Sequence, residues 1–258
     1  MNMATQKRVC IVTGSSSGIG AATALWFARR EHNVVINYSK DAGKAEAVAA
    51  QCREAGAEAL VIRANIAEDA DCVALAAQVK ERWGGADTLI NNAGVSTKFV
   101  DFRDLAALTP EDFLASYRVN VLGTFQMSRA VAPLMAGRAN PSIVNISSLA
   151  AVTGAGSSMA YSSSKGAVNS LTLSLARSLA PAIRVNAILP GMVNGEWLRK
   201  GLGDEVFEAR KKRWSTRALL GDAIEYEDAA RMAWFLATEA VKSTGQLIHL
   251  DGGFQLGG

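Results

Sequence analysis

Tyr161 and Lys165 stand four residues apart in Tyr161-Ser162-Ser163-Ser164-Lys165. On a helix that spacing puts both side chains on one face, one turn apart. A free phenol has a pKa near ~10 and is a poor acid or base at neutral pH. An ammonium beside it favours the phenolate. The expected result is a tyrosine that exchanges a proton near working pH, as general acid–base catalysis requires. Tyr and Lys at this spacing are common in helices that only pack, so position has to argue for them. They open a helical stretch that follows Ser147-Ser148 at the end of an apolar run. A hydroxyl there can hold a carbonyl oxygen and stabilise an alkoxide forming on it. Adjacent strand residues face opposite ways, so only one of the two serines can do so.

A second constellation lies near the start. Thr13-Gly14-Ser15-Ser16-Ser17-Gly18-Ile19-Gly20 follows an apolar run and opens a helical stretch. Glycines let a backbone turn sharply and let a pyrophosphate approach without a Cβ between. The helix N-terminus adds unpaired N–H groups and partial positive charge, and the serine hydroxyls add donors. The turn therefore reads as a dinucleotide cradle. About 20 residues on, a carboxylate would accept bonds from a ribose 2′-OH. Here the second run ends Ile36-Asn37-Tyr38-Ser39-Lys40, and the first carboxylate is Asp41. A hydroxyl and a cation at that tip favour a 2′-phosphate, hence NADP(H) over NAD(H).

The elements that must carry these residues are legible as alternation. Short β-branched runs fall at 9–13, 34–37, 59–63, 88–91, 143–146, 184–189 and 246–250, several of them continuously apolar, as in strands covered on both faces. Alanine-rich stretches at 21–30, 43–55, 71–82, 111–135, 158–180 and 227–237 read as helices. The expectation is one α/β domain over 1–258, a doubly wound, seven-stranded parallel sheet with helices on both faces. Residues 194–226 break the rhythm. They are long and charged, carry Trp197 and Trp214, and follow a strand where ligands dock in such sheets. They read as a substrate lid, or as surface helix packed by two tryptophans. Asn120, between Val119 and Val121, is an amide in an apolar helix that needs partners and is placed to tie down a kink.

Composition excludes several classes. The net charge is +3 with 20% charged residues, and the densest basic patch is Arg210-Lys211-Lys212-Arg213, the pattern of a solvated helix face rather than a nucleic-acid footprint. Cys10, Cys52 and Cys72 match no zinc or disulfide spacing, and His32 and His249 are read as structural, so no metal is expected. No apolar run has the length of a membrane span, and the first residues do not read as a signal peptide, which places the chain in the cytoplasm.

The glycine turn resembles the T-G-x-x-x-G-x-G motif of the short-chain dehydrogenase/reductase family, in its branch of 3-oxoacyl-carrier-protein reductases and glucose dehydrogenases. The resemblance is shared in order by Asn91-Asn92-Ala93-Gly94, Asn120, Ser147-Ser148, Tyr161 with Lys165, Pro190-Gly191 and Asp251-Gly252-Gly253, from about Val9 to Phe254. It implies an oxidoreductase that interconverts a carbonyl and a secondary alcohol. By family spacing Ser148 is the substrate serine, Tyr161 the acid/base, Lys165 the partner that also bonds the nicotinamide ribose, and Asn120 the residue linking Lys165 to a proton relay through a water. The implied coenzyme contacts are Gly14, Ser16, Ser17, Gly18, Ile19, Gly20, Tyr38, Ser39, Lys40, Asn65, Ile66, Asn92, Ala93, Gly94, Pro190, Gly191 and Val193, with Asn65 at the adenine in place of an acidic residue. Where the family often has Thr after Pro-Gly, this chain has Gly195, with Asn194 as a possible substitute. Thr153, Met192 and Trp197 join Ser148 and Tyr161 as substrate contacts, and Ser96, Thr97, Leu149, Val152, Gly154 and Met159 are further wall candidates. Arg138 and Arg177 are either docks for an acidic carrier protein or solvated. The resemblance also implies a homotetramer acting on a small molecule. The alternatives are an NAD(H)-dependent sugar or alcohol dehydrogenase, an epimerase or dehydratase of the wider group, and a dinucleotide-sensing regulator on the same fold.

Overall fold

The computed structural model describes residues 7–257. Seven parallel strands form one sheet: β1 (Arg8–Val12), β2 (His32–Tyr38), β3 (Ala59–Arg63), β4 (Thr88–Asn91), β5 (Ser142–Ile146), β6 (Arg184–Pro190) and β7 (Leu247–Leu250), in the order β3-β2-β1-β4-β5-β6-β7. Strand residues alternate between two cores. Val9, Ile11, Val35, Leu89, Ile143 and Val185 pack on one side, with α3 (Asp69–Trp83), α5 (Thr124–Val131) and α7 (Met159–Leu179). Cys10, Val12, Val34, Ile36, Ile90 and Val144 pack on the other, with α1 (Gly18–Ala28), α2 (Ala42–Glu54) and α10 (Tyr226–Trp234). Both faces being covered is why the strands read as unbroken apolar runs. The fold is the doubly wound one expected from the alternation.

The strand order reverses between β1 and β4, and the carboxyl ends of the strands there frame a crevice, the place where such sheets bind ligands. Beneath it the core contains a polar ladder. Asn91 Nδ2 donates to Asn145 Oδ1 at 2.9 Å and to Ser128 Oγ at 3.0 Å, and Asn145 Nδ2 donates to Thr172 Oγ1 at 2.9 Å. These bonds tie β4 and β5 to α5 and α7.

The single long helix expected over 111–135 is composite. α4 (Pro110–Tyr117) runs into a π-helical turn at Arg118–Gly123, then α5, then a 3-10 turn at Ala132–Met135. The extra residue per turn in a π segment breaks the regular backbone ladder, and Asn120 sits in it. Residues 194–226 form α8 (Glu196–Leu202) and α9 (Asp204–Arg217), with a small core of their own around Phe207, Trp214, Met192 and Leu149. Trp214 is buried and stacks on Phe254 at 4.0 Å, whereas Trp197 is half exposed. α6 (Ala150–Thr153) completes the α-helices of the described residues.

His32 is wedged between Phe27 and Trp234, its Nδ1 2.8 Å from Arg30 O, and burial lowers its pKa. Cys10, Cys52 and Cys72 are free and buried. Among the described residues no cluster of His, Cys, Asp or Glu could hold a metal, and no helix is long and apolar enough to cross a membrane.

Candidate active site

A cleft of about 1930 Å³ runs over the carboxyl ends of the strands from the glycine turn to Tyr161. It exceeds the ~300–1,000 Å³ typical of a small-molecule pocket and has room for a dinucleotide and a substrate together. Gly14 has φ +61, a left-handed conformation, and a Cβ on it would lie 2.8 Å from Ala93 Cα. Gly20 is needed for a different reason. Its Cβ would meet Gly14 O and Asn92 Nδ2, each at 2.5 Å. Asn92 Nδ2 already donates to Thr13 O and Gly14 O at 2.9 and 3.1 Å, and Thr13 Oγ1 accepts from Asn92 N and Ala93 N at 3.0 Å each. The turn is therefore locked to the end of β4. Ser17, the N-cap of α1, makes no capping bond, which leaves its hydroxyl and the first-turn N–H groups to face an anion.

Most residues singled out for the coenzyme do line the cleft: Gly14, Ser17, Gly18, Ile19, Ser39, Lys40, Asn65, Ile66, Asn92, Ala93, Gly94, Pro190, Gly191 and Val193. Three do not. Ser16 and Gly20 are not in its wall, and Tyr38 packs against the core of α1 and α2, because its strand position faces the same side as Val34 and Ile36. Asn65 turns its Oδ1 to Ala67 N at 3.2 Å, so that lone pair is partly spent on its own loop.

Sequence reasoning missed Asn37, Lys44 and Tyr226. Asn37 Oδ1 accepts from Gly14 N at 3.1 Å and its Nδ2 donates to Ala64 O at 3.0 Å, so one side chain fastens the glycine turn to β3. Its signal was an amide directly after the apolar Val34–Ile36 run, inside the strand. Lys44 lines the cleft beside Lys40, and Asp41 is occupied as the N-cap of α2, accepting from Lys44 N at 3.0 Å. Tyr226 fills the space that any side chain at Gly195 would need, and its hydroxyl accepts from Glu196 N at 3.0 Å beside Gly18. Asn194 does not face the site as its proposed substitute role requires; its Nδ2 donates to Glu225 Oε1 at 2.8 Å.

At the other end Ser148, Tyr161 and Lys165 come together. The Ser148 hydroxyl stands beside the Tyr161 phenol and lowers its pKa, and Ser148 Oγ accepts from Ala150 N at 3.1 Å. Ser147 points the other way, its Oγ donating to Asn169 Oδ1 at 2.7 Å and lying 3.1 Å from Lys165 O. Lys165 Nζ donates to Ile146 O at 2.8 Å and lies 5.7 Å from the Tyr161 ring centroid.

The reading that a nearby ammonium favours the Tyr161 phenolate meets an opposing effect in the packed cleft. Burial pushes the phenol above its ordinary value and outweighs the lowering effect of Ser148, while burial pushes Lys165 down to about 8. A buried ammonium at this distance helps the phenolate less than lost hydration harms it.

Asn120 is spent on structure: its Oδ1 accepts from Val95 N at 2.8 Å and its Nδ2 donates to Val95 O and Ser164 Oγ at 2.9 Å each. It thereby clamps the chain after β4 against α7. Thr153, Met192, Trp197, Leu149 and Gly154 line the substrate end, whereas Ser96, Thr97, Val152 and Met159 do not. The Trp197 ring lies 5.8 Å from that of Tyr161. Arg138 is tied into the fold, its Nη2 donating to Trp83 O at 3.2 Å beside Asp87, so it is not a free dock.

The family model described as enoyl-(acyl carrier protein) reductase matches residues 14–255. The chain belongs to the short-chain dehydrogenase/reductase family. It is 36% identical over 98% of both chains to a ketoacyl reductase of the granaticin polyketide synthase of Streptomyces violaceoruber. It is 32% identical to the 3-oxoacyl-acyl-carrier-protein reductase of Staphylococcus aureus, over 95% of this chain and 97% of that one. Among solved structures, a short-chain dehydrogenase/reductase from Burkholderia xenovorans is 42% identical with TM-score 0.89, covering 98% of this chain and all of that one. A xylitol dehydrogenase with NAD+ bound is 29% identical with TM-score 0.85, covering 95% and 98%. The protein is thus an NAD(P)-dependent oxidoreductase of carbonyl/alcohol chemistry.

The charge state of Lys165 has a measurable consequence. Its folded pKa of about 8 is below its ordinary 10.5. Between those values the unfolded chain binds more protons at this group, so the group's contribution to stability rises with pH across that window. Lys165→Met removes it. In urea unfolding followed at several pH values, the wild type should gain on this variant as pH rises from about 8 to 10.5, and a pH-independent gap would place the ammonium in water.

Proposed function

We propose that the protein is a cytoplasmic NADPH-dependent reductase of a small carbonyl compound, with Tyr161 as the proton donor. The reading is carried by Ser148, Tyr161 and Lys165 meeting in one wall, the Ser148 hydroxyl beside the phenol and Lys165 beneath its ring, at the end of a cleft that begins in a glycine turn. The nicotinamide dinucleotide bound in that cleft supplies the hydride. Gly14, Ser17, Gly18 and Ile19 hold its phosphates, Asn92 to Gly94 line its ribose, and Pro190, Gly191 and Val193 hold its carboxamide end. Ser148 polarises the carbonyl oxygen and Tyr161 gives it a proton. Burial keeps that phenol protonated at neutral pH, the form a reduction needs. Lys165 returns the proton, and Asn120, across Gly94 from Lys165, holds the Val95 backbone that frames the relay. Residues 194–226 act as the lid, with Trp197 against the Tyr161 ring and Trp214 as its packed hinge side. The three free, buried thiols fit a reducing compartment.

Ser39, Lys40 and Lys44 at the β2 end support NADP(H), since Asp41 is held as a helix cap rather than facing the ribose. Comparative kinetics test this. NADPH should exceed NADH in kcat/KM, and Lys40→Glu should reverse or erase the preference by about tenfold or more. Equal efficiency in the wild type would leave the NAD(H)-dependent sugar or alcohol dehydrogenase reading, which the likeness to the xylitol dehydrogenase favours. The exposed Phe113, Leu114, Phe125 and Leu173 on α4, α5 and α7 support a homotetramer built on those helices. Light scattering should give four times the chain mass, and a monomer would contradict it.

A further inference from the structure

α9 turns Arg210, Arg213 and Arg217 into the wall of the cleft. At three and seven residues from the first they share one helix face, so this basic patch is not simply a solvated surface. Arg210 Nη1 lies 3.4 Å from Gly156 O, and Gly156 packs against the Tyr161 ring. Arg217 lies over the Phe254 ring at 4.6 Å and donates to Gly257 O at 3.2 Å. The Arg210 contact sets that end of the row beside Tyr161, at the substrate end of the cleft.

Among the described residues none of these three arginines forms an ion pair. On α9 itself, Asp204 and Glu208 pair with Arg199. Among the described residues the acids lining the cleft are Glu68, at the adenine end, and Glu196, which pairs with Lys200. Like charges on one helix face repel, and a cleft wall of one sign concentrates the opposite sign in its ligand. Between this row and Ser148 the wall is apolar, from Leu149 and Met192.

We infer that the substrate carries an anionic group, a carboxylate or a phosphate, held by Arg213 with Arg210 and Arg217, and joined through a carbon chain along Leu149 and Met192 to the carbonyl at Ser148 and Tyr161. Guanidinium groups suit this task because their forked N–H groups bind carboxylate and phosphate oxygens in pairs. The inference rests on the carbonyl reduction proposed above and adds its substrate class.

The test compares matched pairs with NADPH as reductant: short oxo carboxylates against their methyl esters, and acetoacetyl-coenzyme A against the neutral N-acetylcysteamine thioester. The charged member of one pair should be favoured at least about tenfold in kcat/KM, chiefly through KM. The first pair marks a carboxylate and the second a phosphate. In the double variant Arg213→Gln, Arg217→Gln that ratio should fall to about one while the coenzyme KM stays in place. Both pairs level in the wild type, a ratio that survives the double variant, or an effect confined to the coenzyme KM would overturn the inference. Tryptophan-fluorescence titration of Tyr161→Phe with the same compounds separates this from failure of the redox reading. Preference for the charged member in binding, lost with the arginines, sustains the inference even if no pair is reduced. Equal binding, or none, overturns it.

Discussion

Tyr161→Phe should lose two to four orders of magnitude in kcat while binding NADPH within about twofold of the wild type, the span expected when a positioned general acid is removed. The variant keeps the ring, which packs beside Trp197 and under Gly156, and removes the single hydroxyl that stands beside Ser148. The fold should therefore be retained, with a melting temperature close to that of the wild type. Coenzyme titration by fluorescence and steady-state turnover on the same preparation separate the two effects. Turnover within tenfold of the wild type would move the proton-donating role elsewhere. Serine cannot easily take it over, because Ser147 is turned toward Asn169 and Ser148 is itself held by Ala150 N.

Gly20→Ala is expected to weaken coenzyme binding roughly 10- to 100-fold, corresponding to the ~1–3 kcal/mol that overpacking costs. The added Cβ would stand 2.5 Å from Gly14 O and from Asn92 Nδ2, and 2.9 Å from Ser15 Cα. Two of these three are backbone, so the clash cannot be relieved by swinging a side chain aside. Either the phosphate turn opens or Asn92 gives up its bonds to Thr13 and Gly14. The control is Gly43→Ala in α2, where the new Cβ meets only Asp41 Oδ1, at 3.6 Å. That change should be neutral or stabilise by up to about 1 kcal/mol, as replacing a helical glycine does. A dissociation constant for NADPH unchanged in Gly20→Ala would mean that the turn adapts more freely than its hydrogen bonds imply.

Much of this was already legible along the chain. Continuous apolar runs such as Val34–Ile36, alternating with alanine-rich helices, admit few architectures besides a covered parallel sheet, because each run has to be buried on both sides. The glycine turn and the Tyr161–Lys165 pair are equally local, since a turn's conformation and a helix face depend on neighbours within a few residues.

Other features depend on residues far apart in the chain. That Ser148 rather than Ser147 meets Tyr161 is set by how β5 is packed against α7, where Asn169 takes Ser147. The grip of Asn37 and Thr13 on the phosphate turn, and Tyr226 filling the place beside Gly195, come from contacts across 20 to 80 positions. So does the direction of the Tyr161 shift. Spacing shows that an ammonium is near, but only the packed cleft sets how much water is lost, and here desolvation decides the direction. A basic run such as 210–213 looks solvated until the fold turns its arginines toward a cavity. Local pattern is enough where a property depends on backbone conformation and periodicity. Where it depends on which distant groups exclude water or share a proton, only the assembled chain decides.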